Sequence, residues 1–190
     1  VSTVTDMYAT FYGADAFNQP LALDTSSVTS MRAMFVNIGF SQPLTFDTGR
    51  VTDMSFMLDS VEVFNQPLDF DTSSVTDMER MLFQTGFNQP LAFDTASVTA
   101  MGRMFLRAVA FDQPLPFDTG RVTSSMWFLL AETEVFNHSL SFDSGRVTDM
   151  TRLLDSANAF DQTVDFDTRS VTTMTGMFWS ADSFNQPLAF

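Results

Sequence analysis

The chain has 190 residues, nine Arg, no Lys, 23 acidic residues and a formal net charge of -14, and it contains no Cys. That charge disfavours nucleic acid and anionic membrane surfaces, which are bound by basic side chains that neutralise phosphates. The missing Cys excludes disulfides, thiolate metal sites and a cysteine nucleophile. Apolar residues make up 45% of the chain, enough for a core, but no apolar run approaches the ~18 to 20 residues of a membrane span, so no membrane insertion is expected.

A single pattern repeats from end to end. A Val-Thr pair recurs at Val4, Val28, Val51, Val75, Val98, Val122, Val147 and Val171, at spacings of 24, 23, 24, 23, 24, 25 and 24. A fixed period of this size signals stacked supersecondary units, so residues 1–190 are read as one repeat array of eight coils. The repeat is already under way at Val1-Ser2-Thr3-Val4, and the last strand ends at Phe190. Neither end carries a polar cap, so the chain is expected to be a piece of something longer, its ends covered by further repeats or another chain.

Within each repeat the first predicted element follows the Val-Thr pair. Met stands three residues after each Val (Met7, Met31, Met54, Met78, Met101, Met150, Met174, and Met126 after one insertion), and a second column follows three later as Met34, Met57, Met81, Met104, Leu129, Leu153 and Met177. Phe or Leu comes next, as at Phe35, Leu58 and Phe105. Apolar residues at i, i+3, i+6 and i+7 trace one helical face, so V-T-x-M-x-x-M-F is predicted to be a short helical segment. Thr76 and Glu79 have the spacing of a capping box, and the Thr that follows every Val is expected to cap the turn rather than form an ice-like or carbohydrate-binding array.

An aromatic column follows at Phe17, Phe40, Phe64, Phe87, Phe111, Phe136, Phe160 and Phe184. The second predicted element is Q-P-L-x-F-D-T, where Leu68 and Phe70, or Leu91 and Phe93, alternate with an outward residue in the manner of a half-buried strand. Asp-Thr then opens a turn. The distance from the aromatic column to the next Val is eleven residues in every copy, while the distance from Val to Phe varies between 12 and 14. Strands in a continuous sheet must keep register and loops need not, so the ordered sheet is expected on the strand half. The fold class expected is an α/β repeat solenoid, with a parallel β-sheet on one face and short helical segments on the other.

The string F-N-Q-P-L-x-F-D-T-S-x-V-T-x-M-x-x-M-F resembles the repeats of the BspA-type leucine-rich-repeat surface proteins, found in bacterial lipoproteins and protist surface proteins. The resemblance covers the whole chain, departing from the family in placing Phe before Asp-Thr where Trp is common. It implies a leucine-rich-repeat-like fold, exposure at the cell surface or outside the cell, and a role in adhesion or protein interaction.

Three groups of residues are candidates for a site. The acidic column after the strand (Asp24, Asp47, Asp71, Asp94, Asp118, Asp143, Asp167) would hold Ca²⁺ as a carboxylate ladder, centred on Asp71, Asp94 and Asp118; the plainer account is that each Asp accepts hydrogen bonds within its own turn. The outward column on the strand (Ala22, Thr45, Asp69, Ala92, Pro116, Ser141, Asp165, Ala189) varies most and is the candidate partner-reading surface. The Gln column, with His138 standing once in its place, is expected to bond amide to amide along the stack. Asn137-His138-Ser139 matches a glycosylation acceptor once. No catalytic motif, phosphate loop or zinc spacing is present, and no cofactor is expected. The function expected is non-catalytic: a module presenting an extended surface for adhesion or protein-protein interaction, with a structural or linker subunit of a larger assembly as the alternative.

Overall fold

The computed structural model describes residues 3–123 and 125–188. The expectations placed on Val1, Ser2, Ala189 and Phe190 lie outside the described residues. The repeats wind as coils laid one on the next in parallel. Isolated parallel bridges join Asp6 to Ser30, Ser30 to Asp53, Asp53 to Asp77 and Asp77 to Ala100, then Ser125 to Asp149 and Asp149 to Thr173. Met31, Met54, Met78, Met101, Met126 and Met150 are fully buried in one continuous core. Rings of the aromatic column pile from Phe17 to Phe184 with centroids 6.0 to 6.5 Å apart and planes within 17° of parallel.

The architecture is nevertheless not the α/β, leucine-rich-repeat-like solenoid expected. Among the described residues there is no helix and no β-sheet; the parallel pairing amounts to isolated bridges. The segment expected to be helical is instead a run of tight turns. Met57 donates its backbone N–H to the Met54 carbonyl, Asp59 to Phe56, and Val61 to Leu58, each a three-residue step back. In a helix the intervening N–H groups would bond along their own chain; here they bond to the next coil. Met54, Phe56, Leu58 and Ser60 donate to the carbonyls of Asp77, Glu79, Met81 and Phe83 at 2.8 to 3.0 Å.

This alternation requires a backbone that no helix has. The second residue after the first Met of each repeat carries a positive φ, from Ala9 at 53° through Phe56 at 60° and Arg103 at 59° to Gly176 at 62°, and so does the residue four further on, from Gly13 to Ser180. A positive φ at the third of four positions is the signature of a type II turn, so M-x-x-M and the four residues after it are two such turns in tandem. Both turns put their first and last residues inward, which satisfies the same i, i+3, i+6, i+7 spacing that a helical face does. A further inward column, unpredicted, closes the second turn: Ile38, Val61, Thr85, Ala108, Thr133 and Ala157 are all buried. The two buried threonines there donate to carbonyls three residues back, Thr85 to Leu82 and Thr133 to Leu130.

The strand half also departs from expectation. Leu68, Phe70, Leu91 and Phe93 are buried and Asp69 and Ala92 exposed, as the alternation predicts. Yet these extended segments form no ladder; Leu140 and Val164 make an isolated bridge. Side chains do most of the joining between these segments. Thr48, Thr72, Thr95 and Thr119 donate their hydroxyls to the carbonyls of Asp71, Asp94, Asp118 and Asp143 in the next coil at 2.9 to 3.0 Å. Ordered register therefore comes from the tandem turns, whose length is the same in every coil, as from Met54 to Val61 and from Met126 to Thr133; the changes in length fall before Met126 and between the turns and the aromatic column.

Candidate interaction surface

The acidic column is committed to its own turns. Asp47, Asp71, Asp94, Asp118 and Asp143 each accept the backbone N–H two residues ahead, and Asp24 and Asp167 do the same. Ser73, through its hydroxyl and then its N–H, holds the Asp71 carboxyl below the usual range, and Arg169 does so for Asp167. Among the described residues no three carboxylate or imidazole groups gather into a cage for a metal ion, and Asp71, Asp94 and Asp118 remain one per coil.

The Thr after each Val does not cap a helix. Thr29, Thr52, Thr76 and Thr99 donate their hydroxyls to the Thr carbonyls of the preceding coil, at Thr5, Thr29, Thr52 and Thr76. Glu79 does not return to Thr76; its N–H is accepted by Asp77, which starts the turn. The Gln column does bond amide to amide between coils, with Asn rather than another Gln as the acceptor. Gln89, Gln113 and Gln162 donate to the side chains of Asn65, Asn88 and Asn137 one coil back, and the same oxygens accept the N–H of Asn88, Asp112 and Asp161. His138 takes the Gln place with its Nε2 3.1 Å from Asp112. Asn137, the glycosylation candidate, is exposed and engaged in this ladder. The proposed outward column, Ala22, Thr45, Asp69, Ala92, Pro116, Ser141 and Asp165, forms a single exposed row on the extended face.

A second surface, on the tandem turns, escaped the sequence reading. It begins with the positive-φ column and its neighbours, which point away from the core. Arg32 and Arg80 both lie over the Phe56 ring, at 5.0 and 5.2 Å, and Arg80 lies over Phe83 at 4.1 Å. Further along, Arg103 covers Trp127 at 3.8 Å, and Arg152 covers Trp179 at 4.9 Å. Phe128 has Arg103 and Arg152 each at 5.6 Å. Trp127 can approach because its neighbour in the preceding coil is Gly102: a Cβ there would meet the indole Nε1 at 2.3 Å.

Two buried carboxylates fasten this stripe. Asp59 is 3% exposed and accepts Arg80 Nε at 2.8 Å and the Ser60 hydroxyl. Asp155 is 7% exposed and is held within its own coil, by Arg152 Nη1 three residues back at 3.1 Å and by the Ser156 hydroxyl. Arg107 meets Glu132 at 2.9 Å in the open. Five of the nine Arg stand on this face (Arg32, Arg80, Arg103, Arg107, Arg152), and so do both Trp and both Tyr of the chain. Tyr8, Tyr12 and Trp179 are about 60% exposed. Beside the stripe runs a shallow groove of about 480 Å³ lined by Glu62, Gln84, Gly86, Arg107, Val109 and Glu132. A second, of about 460 Å³, is lined by Tyr8, Tyr12, Arg32, Phe56, Asp59 and Arg80 among others. The signal available in the sequence was the restriction of Trp, Tyr and these Arg to the x positions of M-x-x-M-F-x-x.

No curated protein and no solved structure matches this chain. A family with no assigned activity lends nothing to the surface or adhesion role that resemblance implied. A family model described as "Mycoplasma protein of unknown function, DUF285" matches residues 1–69, 37–141, 68–162 and 115–189, four overlapping segments that together run from residue 1 to residue 189. The chain belongs to that family.

Proposed function

We propose that the chain is a non-catalytic protein-interaction module whose partner docks on the stripe of Arg and aromatic side chains along the tandem turns. The observation that carries this reading is the gathering of every Trp and Tyr, and most of the Arg, on one exposed face. These residue types dominate interface hot spots because they offer large contact area at small conformational cost. Stacking supports the same reading, since a guanidinium already held against a ring loses little freedom when a partner binds. Repetition supports the non-catalytic part: polar side chains recur coil after coil and are committed to their own turn or to the next coil. A cell-surface location belongs to the same proposal and rests on the BspA resemblance alone.

The test is a random peptide library panned on the wild-type chain. Peptides enriched on it should bind at least about tenfold more weakly to a Trp127→Ala/Trp179→Ala variant, and with unchanged affinity to Asp69→Arg/Asp165→Arg, which alters the extended face. Loss on the second variant and not the first would move the site to the outward column and overturn the proposal.

A further inference from the structure

We infer that the partner's docking segment is a stretch of polypeptide that sets one carboxylate, from an Asp or Glu among otherwise neutral residues, against the guanidinium edge of Arg103. This rests on the reading that the stripe is the docking face, and it is carried by how the five Arg are satisfied. Arg80, Arg107 and Arg152 each hold a carboxylate of this chain, and Arg32 donates to the Ser55 hydroxyl at 3.4 Å. Among the described residues Arg103 has no acceptor within hydrogen-bond reach, although it is the guanidinium packed nearest to a ring.

The geometry of stacking decides what Arg103 can still take. Its face is covered by Trp127 and Phe128, so an incoming group meets the in-plane N–H fork. That fork matches a carboxylate or a phosphate in a two-bond arrangement. Between the two, the surroundings favour carboxylate. Asp59, Glu132 and Asp155 stand along the same stripe, and the chain as a whole carries -14. A polyphosphate brings a charge on every unit and meets each of those acids, whereas a peptide places one carboxylate at Arg103 and neutral residues elsewhere. The neighbouring groove adds a place for an apolar side chain: it has Gly86, with no side chain, beside Val109, which is 45% exposed.

Peptides selected on the wild-type chain should therefore be enriched in Asp or Glu. A synthetic copy of a selected peptide should bind about tenfold more weakly to Arg103→Gln, and replacement of its acid by Gln should cost the same on the wild type and little more on the variant. Arg103→Lys, which keeps the charge and loses the fork, should restore only part of the affinity. Selected peptides that lose affinity on Trp127→Ala/Trp179→Ala but lack acids, or ignore Arg103→Gln, would overturn the carboxylate contact and leave the docking face standing. Displacement of the peptide by a short oligothymidylate at equal concentration would overturn it in favour of a phosphate reader. A library that enriches nothing on the stripe would remove both.

Discussion

The two faces of each coil bury the same kind of side chain and are held together by different bonds. On the turn face the backbone does the joining: Leu82, for example, donates to Met104 in the next coil, and Gln84 to Leu106. On the extended face side chains reach across instead, as Asn88 does to the N–H of Asp112 and Thr72 to the carbonyl of Asp94. Backbone bonds are available to any residue except Pro, so the turn face is free to vary its outer side chains. Side-chain bonds require particular residues, so Asn, Gln and Thr recur on the other face.

Proline separates the two modes most sharply. Gln84 sits at φ 49° and donates its N–H to Leu106 at 2.9 Å. Gln84→Pro forces φ near -65° and deletes that bond, so a loss of about 3 kcal/mol or more is expected. Ala92 lies in the exposed row where Pro116 already stands in the next coil, and Ala92→Pro should cost less than about 1 kcal/mol. Urea denaturation of both variants checks this. Equal losses would mean that the extended face depends on backbone pairing after all.

Removing one bridge from the extended face comes next in size. The Asn88 side-chain oxygen accepts two donors from the following coil, Asp112 N–H at 2.9 Å and Gln113 Nε2 at 3.0 Å. Asn88→Ala leaves both to water or to nothing, and a loss of about 1 to 3 kcal/mol follows. Asn88→Asp keeps the acceptor, as Asp112 and Asp161 do at the same place in other coils, and should recover most of the stability. Failure of Asp to recover it would show that the ladder is incidental to the stack.

The columns that the sequence shows most clearly, those of Met and of Phe, are the columns that stack, because burial requires apolar side chains whatever the backbone does. The backbone itself was not legible. Tandem type II turns and a short helix both bring residues at i, i+3, i+6 and i+7 inward, and the residues at positive φ are Ala, Asn, Phe, Ser, Arg, Gln and Glu rather than Gly in all but Gly13 and Gly176. The second element was read correctly for which side chains are buried and wrongly as a strand of a sheet, since alternation reports which way side chains point and not whether neighbouring backbones pair. For the candidate surfaces the acidic column was legible, because Asp-Thr-Ser announces its own turn. Asp59 and Asp155 were not, since nothing in the order of residues brings Arg80 from the next coil onto Asp59 or distinguishes a buried Asp from a solvated one.

The smallest expected effect contrasts two acids, one on each face. Asp77 stands in the bridge column of the turn face, and burial first, then the nearby Asp53 charge, pushes its carboxyl above the usual range, against the opposing Glu79 N–H and Arg32. A carboxyl raised in the folded state binds its proton more tightly there than in the unfolded chain. Its charged form therefore costs stability at neutral pH, and that cost disappears as pH falls through the raised folded value. Asp77→Asn keeps the oxygen that accepts Glu79 and removes the charge, so its melting temperature should exceed the wild type's at pH 7 and the gap should close on acidification. Asp71 on the extended face runs the other way: its carboxyl is held low by Ser73, its charged form favours folding above the unfolded value, and Asp71→Asn should lower the melting temperature at pH 7 with a gap that also closes as pH falls. Thermal melts of the two variants between pH 7 and pH 3 would show gaps of opposite sign. Gaps of the same sign would mean that the acids on both faces are governed by the overall negative charge and not by the bonds that distinguish one face from the other.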